Sequence, residues 1–147
     1  MNTIAGSGSA SWQDGAGINA SFNRPQGIDV DASGNIYVAD FYNNRIRKIT
    51  PAGEVTTLAG SSYGYQDGSA TEARFRYPSD VAVDVLGNVY VADSYNNRIR
   101  KINSVGVVTT IAGSGSSGFT DALGTSARFN RPSGIAIDAS GIIYVAD

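Results

Sequence analysis

The sequence predicts an all-β fold made of repeated four-stranded antiparallel units, and three observations carry that prediction. The first is internal repetition. Thr3-Ile4-Ala5-Gly6 returns as Thr57-Leu58-Ala59-Gly60 and again as Thr110-Ile111-Ala112-Gly113, at offsets of 54 and 53 residues. Pro25, Pro78 and Pro132 mark a second register, and Tyr37 to Asp40, Tyr90 to Asp93 and Tyr144 to Asp147 mark a third. The second observation is composition: 18 Gly, 8 Tyr and many β-branched residues in 147 suit short strands joined by tight turns. The third is the alternation inside each period, which separates four short strands with turn clusters between them.

Within one period the elements follow in order. Gly27 to Asp31 alternates apolar and polar residues and forms strand a, and Ala32-Ser33-Gly34-Asn35 is the turn after it. Ile36 to Ala39 is almost continuously apolar, the pattern of a strand buried on both faces, and forms strand b. Arg45 to Thr50 is strand c, stopped by Pro51-Ala52-Gly53, and Val55 to Ala59 is strand d. A Gly/Ser/Asp-rich linker such as Gly6 to Gln26 leads to the next strand a. Short helical turns are expected near Ile18 to Phe22, Thr71 to Phe75 and Ser126 to Phe129. The chain is thus one segment, 1–147, with repeats at about 3–56, 57–109 and a truncated 110–147.

Four antiparallel strands per period describe a β-propeller blade, and propellers close with roughly four to eight blades. Strand d at Thr3 to Ala5 is the first element and strand b at Ile143 to Ala146 the last, which makes 11 strands in about two and three-quarter blades. An unclosed stack leaves apolar blade faces and strand edges uncovered. The ring is therefore expected to be incomplete in one chain and completed by oligomerisation. A homodimer supplies about 22 of the roughly 24 strands of a six-bladed ring, with strand d of each chain docking on the terminal blade of the other.

Composition removes several kinds of chemistry. With no Cys and no His, the chain has no disulfide, no zinc–thiolate site, no imidazole base and no Ser-His-Asp or Cys-His arrangement. A net charge of −2 is too small to imply a polyanionic partner. No apolar run approaches the roughly 20 residues of a membrane span, and Met1-Asn2-Thr3-Ile4 lacks the features of a secretory leader. The compartment stays open.

Each candidate site has a structural reading beside the functional one. Asp29, Asp31, Ser33, Gly34 and Asp40 fall at EF-hand-like spacing, but Ala82, Leu86 and Ala136 break the set in the other copies, so no metal site is expected. Asp40 with Arg45, and Asp93 with Arg98, flank the b–c turn and read as structural carboxylate–guanidinium staples. Arg45, Arg47 and Lys48, with Arg98, Arg100 and Lys101, are the only basic clusters, and they read as solvated strand faces. The runs Gly6-Ser7-Gly8-Ser9 and Gly113-Ser114-Gly115-Ser116 lack the lysine of a phosphate loop. One surface stands out. In an up-and-down blade the d–a and b–c connections share an end, which gathers Trp12, Tyr65 and Phe119 from the linkers with Tyr42 and Tyr95 from the turns. Aromatics on loops held by a rigid scaffold suit ligand or protein capture; the alternative is that they pack inward and anchor their own linkers.

Pro25-x-Gly27, then Gly34-Asn35-Ile36-Tyr37-Val38-Ala39-Asp40, then Tyr42-Asn43-Asn44-Arg45-Ile46-Arg47-Lys48-Ile49, repeated almost letter for letter to Ile102, resembles the NHL repeat. The long Gly-rich insertion is similar to that of bacterial and teneurin-like members. Asp80 in place of the usual Gly, Leu86 in a turn and Ile142 for the turn Asn are departures expected to weaken turns locally. The resemblance implies a propeller that serves as a non-catalytic scaffold or binding module without a cofactor. It also implies two alternatives. One is RNA binding through a positive face, against which the acidic turns and acidic balance argue. The other is a metal-dependent hydrolase or lyase, for which Asp29, Asp31, Asp84 and Asp138 are channel-facing candidates but the customary His ligands are missing.

Overall fold

Alternating β-branched and aromatic residues, stopped by turn-forming residues, give eleven strands in the computed structural model, which describes residues 1–147. The first sheet contains β1 (Gly15–Ala16), β2 (Pro25–Val30), β3 (Ile36–Asp40), β4 (Arg45–Ile49) and β5 (Glu54–Ala59), in the order β1-β5-β4-β3-β2. The second contains β6 (Asp80–Val83), β7 (Val89–Asp93), β8 (Arg98–Ile102) and β9 (Val108–Ala112), in sequence order. The third pairs β10 (Gly134–Ile137) with β11 (Ile143–Ala146). All strand pairings within the three sheets are antiparallel, and the register repeats: Asp40 lies opposite Arg45 and Asp93 opposite Arg98. Strands a to d are thus β2–β5 and β6–β9, with a and b of the third unit as β10 and β11.

Three details differ from the sequence expectation. Thr3 to Ala5 lies outside every sheet, because a strand needs a neighbour to take its backbone groups and strand c of the first blade is already paired with β5. The first blade instead gains β1 from the linker, which pairs with β5 through Gly15–Val55 and Ala16–Glu54. The linker turns also sit elsewhere: 3₁₀ turns form at Gly17–Asn19 and Gly124–Ser126, while near Thr71 the chain makes only a hydrogen-bonded turn onto the Ser69 carbonyl. Further 3₁₀ turns at Phe41–Asn43 and Ser94–Asn96 make the b–c connections and end at Asn44 and Asn97 in left-handed backbone, a conformation Asn tolerates.

The core lies between sheets rather than within one. Tyr37, Ala39, Ile46 and Ala59 of the first blade pack with Val81, Val89, Val91, Ile102 and Val108 of the second, and Ala73 and Phe75 of the linker complete the layer. Ala82, Tyr90, Ala92 and Ile99 pack in turn against Ile135 of the third. Carboxylates stitch the same boundaries: Asp29 accepts the Val83 N–H at 2.8 Å and Asp80 accepts the Ile135 N–H at 3.0 Å. Asp80 therefore does not weaken a turn; it begins β6 and ties it to β10. Gly27 has to be glycine, since a Cβ there would run into the backbone and carboxylate of Asp80. No helix is long and apolar enough to cross a membrane.

Candidate binding face

The b–c turns are held from below by buried charge. Asp40 and Arg47 pair at 2.7 Å, and Asp93 and Arg100 at 2.6 Å, with all four side chains fully buried. The expected partners, Arg45 and Arg98, sit directly opposite the aspartates but do not bond them. The diagonal arginines, two residues on and on the same sheet face, take the carboxylates because they lie inside the blade. Each aspartate also accepts a backbone N–H from the preceding linker, Asn23 to Asp40 and Arg76 to Asp93, and an amide from Asn43 or Asn96. Burial pushes the Asp93 carboxyl up to about 6 even though the Arg100 guanidinium pulls it down. Arg47 and Arg100 reach further, to Asp14 and Asp67 of the linkers at 2.8 and 2.6 Å. The basic clusters are therefore not solvated strand faces: their central arginines are enclosed within the blades.

Arg45 and Arg98 turn outward to linker carbonyls, at Ser61 and Ser114 respectively, and carry an aromatic plate each. The Arg45 guanidinium lies 4.1 Å from the Trp12 ring centre and that of Arg98 lies 3.7 Å from Tyr65, cation–π distances. Trp12 Nε1 donates to Thr57 Oγ1, and the Tyr65 hydroxyl bonds Thr110 Oγ1, both at 3.0 Å. Trp12 and Tyr65 thus anchor their own linkers while staying half exposed. Phe119, the third of the series, is 83% exposed and lines a cavity of about 340 Å³ with Asp121, Phe129, Val145 and Asp147.

Tyr42 and Tyr95 belong to a separate aromatic group that the sequence alone does not assemble. Its centre is Tyr77, stacked on Phe41 at 5.1 Å and meeting Tyr95 edge-on at 4.9 Å, with Tyr63 and Tyr42 at 5.5 and 5.7 Å. Three residues at equivalent places before the Pro of strand a, Arg24, Tyr77 and Arg131, all hold left-handed backbone. The amides of Tyr77 and Arg131 are clamped by the Asn44 and Asn97 side chains. Guanidiniums cover the group: Arg24 over Tyr42 at 5.0 Å, Arg76 over Tyr63 at 5.1 Å and Arg131 over Tyr95 at 4.7 Å. The only sequence signal for it is the break in the repeat, with Tyr77 where Arg24 and Arg131 stand and Phe41 where Ser94 stands. Among the aspartates proposed for a channel, Asp31, Asp84 and Asp138 each accept two or more backbone N–H groups of their own turn, so their oxygens are engaged locally.

Consecutive antiparallel sheets of five, four and two strands, packed against one another with turns and linkers gathered at one end, define a segment of a β-propeller. The NHL repeat family model matches residues 22–49, 75–102 and 129–147, and the chain belongs to that family. It is 32% identical over 161 residues to NHL repeat-containing protein 2 of Bos taurus, a match covering 98% of this chain and 22% of that protein. The chain therefore spans about a fifth of that relative's length. A solved structure of a protein of unknown function from Bacteroides thetaiotaomicron aligns with a TM-score of 0.72 at 34% identity, covering 78% of this chain and 30% of that one. An auxiliary nutrient binding protein from the same organism aligns with a TM-score of 0.75 at 24% identity, over 88% of this chain and 36% of that one, which shows the shared fold.

Proposed function

We propose that this chain is a non-catalytic binding module that captures a protein or small ligand on its loop face and associates with further copies through its blade faces. The observation that carries the reading is the aromatic group around Tyr77, half exposed on turns whose shape buried Asp–Arg pairs fix from beneath. Rigid aromatic side chains lose little entropy on contact and supply large amphipathic area. The reading is favoured over RNA binding because Arg47 and Arg100 are internal and a phosphate backbone needs exposed cations. It is favoured over hydrolysis or lysis because the chain has no His and its strand-a carboxylates are occupied by backbone N–H groups. A thermal-shift screen of neutral and charged ligands against the wild-type chain and Tyr42→Ala tests it. Ligands that raise Tm in the wild type and lose the effect in the variant are expected; binding that is wholly indifferent to loop-face substitutions would overturn the reading.

A further inference from the structure

The two blade junctions of this chain are built from equivalent positions, so each serves as a control for the other. At the first junction the space between turn and linker is taken by Phe41, Tyr63 and Tyr77, which pack ring on ring. At the second, the same positions hold Ser94, Ser117 and Arg131. Three rings have become two hydroxyls and a guanidinium, and a cavity of about 460 Å³ opens there, lined by Arg76, Tyr95, Asn97, Ser117, Asn130 and Arg131. Of its lining residues, Tyr95, Asn97, Asn130 and Arg131 have counterparts in Tyr42, Asn44, Asn23 and Arg24, whereas Arg76 and Ser117 are particular to this junction.

Its charge is uncompensated. The four ion pairs of the chain all belong to Arg47 and Arg100. Neither the Arg76 nor the Arg131 guanidinium donates a hydrogen bond to protein; the Arg76 Nε is buried without a partner, as are those of Arg45 and Arg47, whose other guanidinium nitrogens are bonded. A buried guanidinium nitrogen normally finds an acceptor. Two carboxylates bond the backbone of the cavity lining, Asp93 at the Arg76 N–H and Asp147 at the Asn130 N–H; Asp93 is paired with Arg100, and neither forms an ion pair with Arg76 or Arg131. The positions of the two cations are set by the scaffold. Arg76 lies over Tyr63, and the left-handed backbone of Arg131 is clamped by Asn97 and its guanidinium carried on Tyr95.

We propose that the cavity at the junction of the second and third blades binds a small oxyanion, a carboxylate or phosphate carried on a group of sugar size, between the guanidiniums of Arg76 and Arg131. Guanidinium forks match both anions in two-point geometry, and Tyr95, Ser117 and Asn130, which also line the cavity, are neutral polar residues suited to the hydroxyls of such a ligand. The proposal rests on the loop-face binding reading and gives that face a ligand class.

Isothermal titration of the 147-residue chain at low salt with inorganic phosphate, glucuronate and glucose tests it and separates the two anion sources. One anion per chain is expected to bind, with glucose silent. The cleanest variants borrow from the other junction: Arg131→Tyr restores the residue found at position 77, and Arg76→Asn the residue found at position 23. Each is expected to weaken binding about tenfold or more, the scale of one charge-assisted hydrogen bond. In the wild type, the Arg Nε–H resonances of residues 76 and 131 should shift on titration, which decides the question even if a variant folds poorly. Absence of binding by both anions, or binding unchanged in the double variant, would overturn the proposal. Tyr42-dependent capture of neutral ligands without anion binding would sink this proposal and leave the loop-face reading standing; anion binding without any Tyr42 dependence elsewhere would do the reverse.

Discussion

Arg47 and Arg100 show how much a single residue decides here. A charge taken wholly out of water is tolerated only when paired and hydrogen-bonded. Each of these guanidiniums meets a buried carboxylate, an outer carboxylate and linker carbonyls, with Gln13 and Ser21 serving Arg47 and Gln66 and Arg74 serving Arg100. One side chain thereby fastens strand, turn and linker together. Asp93→Ala leaves Arg100 buried without its inner partner and is expected to cost about 3–5 kcal/mol, read as a lower urea midpoint at unchanged slope. Arg98→Ala removes an outward arginine and its contact with Tyr65, and is expected to cost about 1–2 kcal/mol. Equal losses from the two substitutions would show that the staple has been assigned to the wrong arginine.

The a–b turn is built on the same plan at the scale of an element. Asp31 accepts the N–H groups of Ser33 and Asn35, the Asn35 amide and the Tyr37 hydroxyl. Asp84 and Asp138 repeat the backbone bonds and the tyrosine bond in their blades. The hydrogen bond from Asn35, with its other donors, holds the Asp31 carboxyl below its ordinary value, and burial with the Asp31 bond pushes the Tyr37 phenol up to about 12 from 10.0. A phenol with a raised value in the folded chain contributes stability that is whole below about pH 10 and fades as pH climbs through 12. In an absorbance titration at high pH, one late-ionising tyrosine is therefore expected to vanish in Tyr37→Phe, with about 1 kcal/mol of stability. A Tyr37→Phe chain that loses amplitude near pH 10 and keeps the late phase whole would refute the assignment. The same turn explains where the sequence was legible and where it was not. Strands a to d fell within a residue or two of β2 to β9 because the period and the alternation act locally. Leu86 and Ile142 were expected to weaken their turns, yet those turns keep their shape, because the aspartate carboxylate bonds backbone N–H groups that any residue supplies. The repeat puts Trp12, Tyr42, Tyr65, Tyr95 and Phe119 on linkers and b–c turns, but how they group depends on contacts between blades. Tyr77 could be found only by noticing that it interrupts a run of arginines.

At the scale of the whole molecule the two outer faces correspond to the two sides of the blade joints inside the chain. Where a blade follows another, its strand-a apolar residues are covered: Val81 is 2% exposed and Ile135 8%. Ile28, the same position in the first blade, is 63% exposed, and Val30 is 56% exposed where its counterparts Val83 and Ile137 are half-buried. Where a blade precedes another, its strand-b tyrosine is covered: Tyr37 is 5% and Tyr90 8% exposed, against 56% for Tyr144. The open face of the first blade carries a groove of about 250 Å³ lined by Ala5, Phe22, Pro25, Ile28, Val38 and Ile49, on the side that the second and third blades turn toward their predecessors. Such head-to-tail joints close into a ring when the rotation per blade allows it, and each is expected to bury about 800 Å² per partner. For this 147-residue polypeptide by itself we expect two copies to join front to back and back to front as one six-bladed ring. In that ring Thr3 to Ala5, outside every sheet here, would gain an edge on the partner's last blade. Light scattering at micromolar concentration should give twice 15.3 kDa, and Ile28→Asp or Tyr144→Asp should halve it, since either puts a charge into the joint. A well-folded species of 15.3 kDa in the unaltered chain would rule the closure out, and a trimer or larger ring would keep the joint while changing the blade count.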